Sequence, residues 1–116
     1  GLVLDSPYSS LRAMVDELAE LYVPKIPLIP FELVVEATLQ AVRTDVQNRA
    51  AYDLMQINAH AHAPHCSAPA LFAHSKDDVL VPIAHSRRLL EGYGGEARLV
   101  ELRGDHNGAR DLSFPE

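Results

Sequence analysis

Three short runs of the chain are rich in apolar residues with a preference for strands. They are GLVLD at residues 1–5, ALFAHS at 70–75 and ARLVEL at 97–102. The first run is apolar without alternation until Asp5, Ser6 and Pro7 end it, which is typical of a fully buried parallel strand. We predict a β-strand in each of the three runs.

Between these runs, apolar residues recur at the three- and four-residue spacing of a helix. Ser9 or Ser10 can cap the first helix, which the pattern ends near Tyr22, ahead of Pro24. A second helix is predicted at roughly 32–49, and a third follows Pro82 and ends in glycines. The apolar stripe of the first helix comprises Leu11, Met14, Val15, Leu18, Leu21 and Tyr22, and that of the second comprises Val35, Leu39, Val42 and Val46.

The other segments are predicted to be connections. Prolines at 24, 27 and 30 disfavour a helix, and the histidine-rich segment 50–69 is predicted to be mostly loop. Long crossovers that carry helices imply parallel strands joined by right-handed connections. The pattern therefore predicts one α/β domain over residues 1–116, with three parallel strands and crossover helices.

Composition narrows the class of protein. A net charge of −6 and the lack of a basic stripe argue against a nucleic-acid partner, and no apolar run is long enough to be a transmembrane segment. The single cysteine, Cys66, cannot form an internal disulfide, which favours a reducing, cytoplasmic location.

The chain begins inside a predicted core strand, at a glycine with no methionine before it. We therefore expect an N-terminal half of the same domain to precede Gly1. A sheet of only three parallel strands leaves its edges exposed, so we also expect poor solubility or self-association of this part alone.

Acidic and imidazole side chains follow the predicted strands, where reactive groups of open α/β sheets gather. A carboxylate that holds one nitrogen of an imidazole leaves the other nitrogen as a base, which supplies two of the three parts of a nucleophilic triad. The residues at the three strand ends are Asp5; Asp77 and Asp78; and Asp105, His106 and Asn107.

The ordered set of these motifs resembles the C-terminal half of an α/β-hydrolase, of the serine aminopeptidase-like and lipase- or esterase-like group. The sequence DVLVP matches the acid loop with Asp78 in the acid position, HSRRLL matches the following helix, and GDHN matches the histidine loop with His106. LVLDSPYSSL also looks like the strand and loop that follow the helix of the nucleophile.

The resemblance implies a serine hydrolase that cleaves ester, thioester or small amide bonds without a metal or other cofactor. It implies that Asp78 is the catalytic acid, that His106 is the catalytic base, and that residues 23–66 form a cap-like excursion, which suits a small-molecule substrate with an apolar acyl group. An ordinary packed excursion is the alternative for that segment. The G-x-S-x-G nucleophile motif is absent from these residues and is expected about 20–30 residues before Gly1.

The sequence departs from the family pattern at two glycine positions. Ser75 replaces the usual glycine of the acid loop, and Asp105 replaces the one before the histidine, which implies tighter local geometry. Two other acids remain candidates. Asp77 is the catalytic acid instead of Asp78 if the match to the acid loop shifts by one residue. Asp5 is the catalytic acid if the chain resembles those hydrolases that carry the acid after an earlier strand.

Other motifs favour less specific roles. His60, His62, His65 and Cys66 are zinc ligands by type, but their spacing matches no common closed site, and Cys66 does not lie on a strand-to-helix elbow. Three serines follow the first strand, where bulky neighbours argue against a nucleophile elbow and favour a helix cap. These serines are Ser6, Ser9 and Ser10. The tripeptide Arg103–Gly104–Asp105, which follows the third predicted strand, is too common a motif to indicate adhesion.

The alternative hypothesis is that the chain is not catalytic but a truncated hydrolase-like scaffold or binding module. The presence or absence of a nucleophile motif in the sequence upstream of Gly1 distinguishes the two hypotheses. A flavodoxin-like binding domain is a third reading, but it needs a phosphate-binding loop after a strand, and the sequence contains none.

Overall fold

A computed structural model describes residues 1–109 of the chain. It contains three strands, four α-helices and two 3₁₀ helices, at Leu54–Gln56 and Ala63–His65, within those residues. The strands and α-helices are β1 (Leu2–Asp5), α1 (Leu11–Tyr22), α2 (Phe31–Ala50), α3 (Ala59–His62), β2 (Ala70–Ser75), α4 (Ala84–Gly92) and β3 (Ala97–Leu102). No helix in this range is long and apolar enough to cross a bilayer.

The three strands form one parallel sheet in the order β1-β2-β3, which confirms the predicted α/β class and the parallel arrangement. β2 is central, and Phe72 pairs with Leu4 on one side and with Leu99 on the other. The bounds of β2 and β3 agree with the predicted runs. β2 and β3 also end level with each other, because Ser75 pairs with Leu102.

The chain divides into two compact units. The sheet unit contains the three strands with α3 and α4, and the helical unit, Ser10–Asn58, contains α1 and α2. In the sheet unit, Phe72 and Leu89 lie in a small apolar core, and the Phe72 ring meets Tyr93 edge-on at 5.8 Å between ring centroids. The helical unit thus begins at the start of α1, well before the expected excursion at 23–66.

In the helical unit, α1 starts at Ser10, whose hydroxyl accepts a hydrogen bond from the Ala13 N–H. Val35 and Leu39 are buried as predicted, but Leu21 and Tyr22 are 63% and 71% exposed. These two positions of the predicted apolar stripe are therefore not buried. Both residues lie in the last turn of α1, and Tyr22 lines an apolar groove.

The prediction of a fully buried first strand was also wrong. Leu2 is 43% and Val3 is 74% exposed. The reason is its position, because within the described residues β1 pairs with β2 alone and forms an edge of the sheet. A continuous apolar run cannot by itself distinguish a central strand from an edge strand.

The segment predicted to be mostly loop, 50–69, contains three short helical turns instead. Asp53 begins the first of them, because its carboxylate accepts from the Met55 N–H at 3.0 Å. The guanidinium of Arg43 holds the same carboxylate in two hydrogen bonds of 2.8 and 2.6 Å. These bonds give the segment a local order that the sequence pattern did not indicate.

Candidate functional site

The carboxyl ends of β2 and β3 bring an acid and a histidine together. Asp78 follows β2 and His106 follows β3, 28 residues later in the chain. Since the two strands end level, their loops leave the sheet side by side. The Nδ1 atom of His106 lies 2.7 Å from Oδ2 of Asp78, which is a short, charge-assisted hydrogen bond.

The loop after β2 holds the Asp78 carboxylate in a fixed position. Its side chain is fully buried, and its Oδ1 accepts hydrogen bonds from the N–H groups of Leu80 at 3.0 Å and Val81 at 2.8 Å. Burial alone would raise the pKa of Asp78. The hydrogen bonds from Val81, His106 and Leu80 together outweigh that effect and hold the pKa below its usual value, so the carboxylate is ionised near neutral pH.

The orientation of His106 follows from its partner. An ionised carboxylate can only accept hydrogen bonds, so Nδ1 of His106 is the donor in the pair. In the neutral ring, the lone pair then resides on Nε2, on the opposite side of the imidazole. The side chain of His106 is 28% exposed, whereas that of Asp78 is fully buried. This arrangement suits an imidazole that takes up a proton at Nε2.

The two loops are joined to each other beyond this pair. Ser75 donates from its hydroxyl to the Gly104 carbonyl and accepts at the same oxygen from the Asp77 N–H. Gly104 in turn donates its N–H to the Asp77 carboxylate at 3.2 Å. Gly104 has a φ of 105°, a conformation that favours glycine. Ser75 therefore links the loop after β2, which carries Asp78, to the loop after β3, which carries His106.

The other two candidate acids lie in different surroundings. Asp77 directs its carboxylate to the backbone of Gly104, and His106 forms its hydrogen bond with Asp78. Asp5, at the end of β1, accepts a hydrogen bond from the Ser6 hydroxyl at 3.0 Å. Of the three acids, Asp78 is the one that the structure places within hydrogen-bonding distance of His106.

His74 belongs to the same cluster but was not predicted from the sequence. It lies in β2, is fully buried, and has its Nε2 atom 2.7 Å from the Val81 carbonyl oxygen and 3.5 Å from Oδ2 of Asp78. Its Nδ1 atom lies 2.6 Å from the Ser86 hydroxyl on α4. The sequence did contain a signal for this role. A histidine within a mostly apolar strand is expected to be buried, and a buried imidazole requires hydrogen-bond partners.

The serines near the start of α1 have structural partners. Ser10 caps α1 as expected, whereas Ser9 is buried, with its hydroxyl 2.8 Å from Nδ1 of His85. Within residues 1–109, no group of three or more His, Cys, Asp or Glu side chains could hold a metal ion. The four residues of the histidine-rich motif lie along α3 and the following turn and are His60, His62, His65 and Cys66.

The helical unit contains a separate apolar groove of about 360 Å³. Side chains of α1, α2 and the turn at Leu54–Gln56 line it, and almost all of its lining is hydrocarbon. The main contributors are Leu11, Val15, Leu18, Val35, Leu39 and Leu54. Such a surface has room for an aliphatic chain and offers no partner for a charged group.

Comparison of the chain with protein-family models and with curated proteins gives no match. The Asp78–His106 pair, the loops that hold it and the groove of the helical unit therefore provide the basis for inferring a function.

Proposed function

We propose that this chain is part of a serine hydrolase of the α/β-hydrolase superfamily, which acts on ester, thioester or small amide bonds by acyl transfer. The hydrogen bond between Asp78 and His106, at the carboxyl ends of adjacent parallel strands, is the observation that carries the proposal. The acid and the histidine of a Ser-His-Asp triad have this geometry. The acid also precedes the histidine along the chain, which is the order in this superfamily.

In the proposed mechanism, Nε2 of His106 takes the proton of a serine hydroxyl as its oxygen attacks the substrate carbonyl. Asp78 stabilises the imidazolium that forms and keeps Nδ1 as the donor. The imidazolium then gives its proton to the leaving group, which departs and leaves an acyl-serine ester. Water hydrolyses that ester with His106 again acting as the base, which regenerates the serine.

The proposal assigns the nucleophile to residues that precede Gly1. No G-x-S-x-G motif occurs within the 116 residues, and crossover lengths favour an elbow about 20–30 residues upstream. The amide donors that stabilise the tetrahedral intermediate would lie upstream as well. On this proposal, the residues that supply the nucleophile and the amide donors form the N-terminal half of the same domain and are a required partner of this chain.

The proposed substrate is a small molecule with an apolar acyl group, as the resemblance implies. The groove of the helical unit is a separate feature, whose hydrocarbon lining favours a saturated chain over a polar or charged one.

An alkyl fluorophosphonate, which forms a covalent bond with activated serines, tests this proposal. We expect the protein that includes the residues upstream of Gly1 to be labelled, and a long alkyl probe to react faster than a short one. His106→Ala should slow labelling by at least about 10³-fold, since the hydroxyl loses its base, and Asp78→Asn by a similar factor. His65→Ala, an exposed histidine of the same unit, is the matched control and should label normally.

Two results would contradict the proposed mechanism. Strong labelling of the 116-residue chain alone would show that the nucleophile had been misplaced. An encoded upstream sequence without a G-x-S-x-G motif, together with no labelling, would instead favour the non-catalytic scaffold or binding module.

A further inference from the structure

His74 uses both ring nitrogens to join three parts of the sheet unit. The residue lies in β2, and its Nδ1 atom is 2.6 Å from the hydroxyl of Ser86 on α4. Its Nε2 atom is 2.7 Å from the carbonyl oxygen of Val81 in the acid loop. Both His74 and Ser86 are fully buried, so water does not replace either partner.

The partners determine which nitrogen of His74 carries the proton. A carbonyl oxygen can only accept, so Nε2 donates to Val81. In the neutral ring Nδ1 is then an acceptor, and the Ser86 hydroxyl donates to it. The ring therefore has one orientation that satisfies both neighbours, and a flipped ring would place its carbons against two buried polar groups.

Val81 connects His74 to Asp78 through hydrogen bonds of its backbone. Its carbonyl accepts from His74, while its N–H donates to Oδ1 of Asp78 at 2.8 Å. The Nε2 atom of His74 also lies 3.5 Å from Oδ2 of Asp78, the oxygen that faces His106. At that distance the N–H contributes a favourable local charge and not a full hydrogen bond.

We propose that His74 is a positioning residue, which fixes the acid loop through Val81 so that Asp78 presents Oδ2 to His106. Its catalytic importance rests on the hydrolase function proposed above, whereas its effect on the Asp78–His106 pair does not. A merely structural histidine would stabilise the core without changing that pair.

Two substitutions that differ by one methylene separate these roles. In His74→Gln, the amide can reach the position of Nε2 and still donate to Val81. In His74→Asn, the shorter amide reaches only the position of Nδ1 and retains the contact with Ser86. Both variants place a neutral amide in the same buried site, and the shorter Asn leaves the larger cavity, so the stability of each variant is measured beside its signals.

Nuclear magnetic resonance of the 116-residue chain, with isotope labels in histidine and aspartate, measures the pair directly. In His74→Asn we expect loss of the Nδ1 proton signal of His106 and a rise in the pKa of Asp78 towards its ordinary value. In His74→Gln we expect both signals to stay close to those of the unsubstituted chain. In the longer, active protein, kcat should fall by about 10-fold in His74→Asn, with KM little changed, and recover in His74→Gln.

A folded His74→Asn chain with unchanged Asp78 and His106 signals would overturn the proposal. If circular dichroism shows that His74→Asn is unfolded, Ser86→Ala provides the same decision, because it leaves His74 in place but removes the hydroxyl that orients its ring. Weakened signals in Ser86→Ala would support the proposal, and unchanged signals would overturn it. Altered signals in a protein that no fluorophosphonate labels would refute the hydrolase function and leave the positioning role intact.

Discussion

Asp78 is a buried carboxylate that accepts hydrogen bonds at both oxygens, from two backbone N–H groups and from His106. Its ionised form is favoured in the folded protein, where its pKa is held below the usual value because these hydrogen bonds outweigh burial. Protonation would convert one accepting oxygen into a donor that faces other donors. The charge on Asp78 therefore contributes to the stability of the fold as well as to the orientation of His106.

This charge predicts a loss of stability in acid. Since the pKa of Asp78 is lower in the folded than in the unfolded chain, the contribution is fully present above the unfolded value of about 3.9 and is lost as pH falls through the folded value. Urea unfolding between pH 2 and 7 measures it. Asp78→Asn should cost about 1–3 kcal/mol at pH 7 and show a shallower decline in acid.

Glu91→Gln is the matched control for this measurement, because Glu91 is an exposed carboxylate on α4 of the same unit. Its acid decline should follow that of the unsubstituted chain. Equal declines for all three proteins would contradict the assignment of this pH dependence to Asp78.

The residues of the cluster differed in how far the sequence could predict them. Asp78 and His106 follow strands, within motifs that carry a resemblance, so their proximity could be anticipated from strand order. His74 and Ser75 lie within a strand, and their partners are two backbone carbonyls, a backbone N–H and a hydroxyl. Backbone groups leave no signature in the sequence, so these two roles required the structure.

At the scale of elements, the two long helices begin in different ways. α1 has a serine cap, with the Ser10 hydroxyl 3.2 Å from the Ala13 nitrogen. α2 begins after Pro30 with no side-chain hydrogen bond at its cap, and ends at Ala51 in a left-handed conformation. The first helix therefore depends on one side chain for its start, whereas the second does not.

Removing the serine cap should weaken the helical unit. Ser10→Ala leaves a backbone N–H of the first turn without its acceptor and should reduce the free energy of unfolding by about 1 kcal/mol. Ser10→Asn supplies another cap acceptor and should stay within a few tenths of a kcal/mol of the unsubstituted chain. Thermal or urea unfolding followed by circular dichroism measures both. Equal losses in the two variants would show that the cap bond contributes nothing.

Element boundaries could be predicted where the apolar pattern ended at residues that typically terminate strands or helices. β2 and β3 are bounded by prolines, glycines and polar residues, and both were located to the residue. The turns in 50–69 were missed. Asp53 caps the first of them and also accepts two hydrogen bonds from Arg43, ten residues earlier, a contact that the apolar pattern does not show. Helical turns this short depend on individual contacts and have too few residues to show a period.

For the whole molecule, β1 is the most exposed part of the sheet. Its apolar side chains Leu2 and Val3 stay accessible, and within the described residues β2 is the one strand with which it pairs. The parallel order of the strands was predicted, but the edge position of β1 was not, since only neighbouring strands decide it. An apolar edge strand of this kind offers unpaired backbone groups to another chain.

We therefore expect the 116-residue chain to associate with itself, which sedimentation velocity measures as a concentration-dependent increase in mass. Val3→Lys should shift this association to at least about 10-fold higher protein concentration, because a charge on an edge strand opposes strand addition. Val79→Lys changes a residue of equal exposure, 74%, in the loop after β2 and should leave association unchanged. Equal effects of both substitutions would indicate a general effect of charge.

The link from Ser75 to the histidine loop also has a consequence for the encounter between acid and base. His106 follows Asp78 by 28 residues in the chain. In a flexible chain of that length the two side chains would rarely come into contact. Because the Ser75 hydroxyl and the Asp77 carboxylate fasten Gly104 beside the acid loop, each group meets the other at a high effective molarity. Once the chain has folded, the imidazole has its carboxylate partner already in place, and little further ordering is required for them to meet.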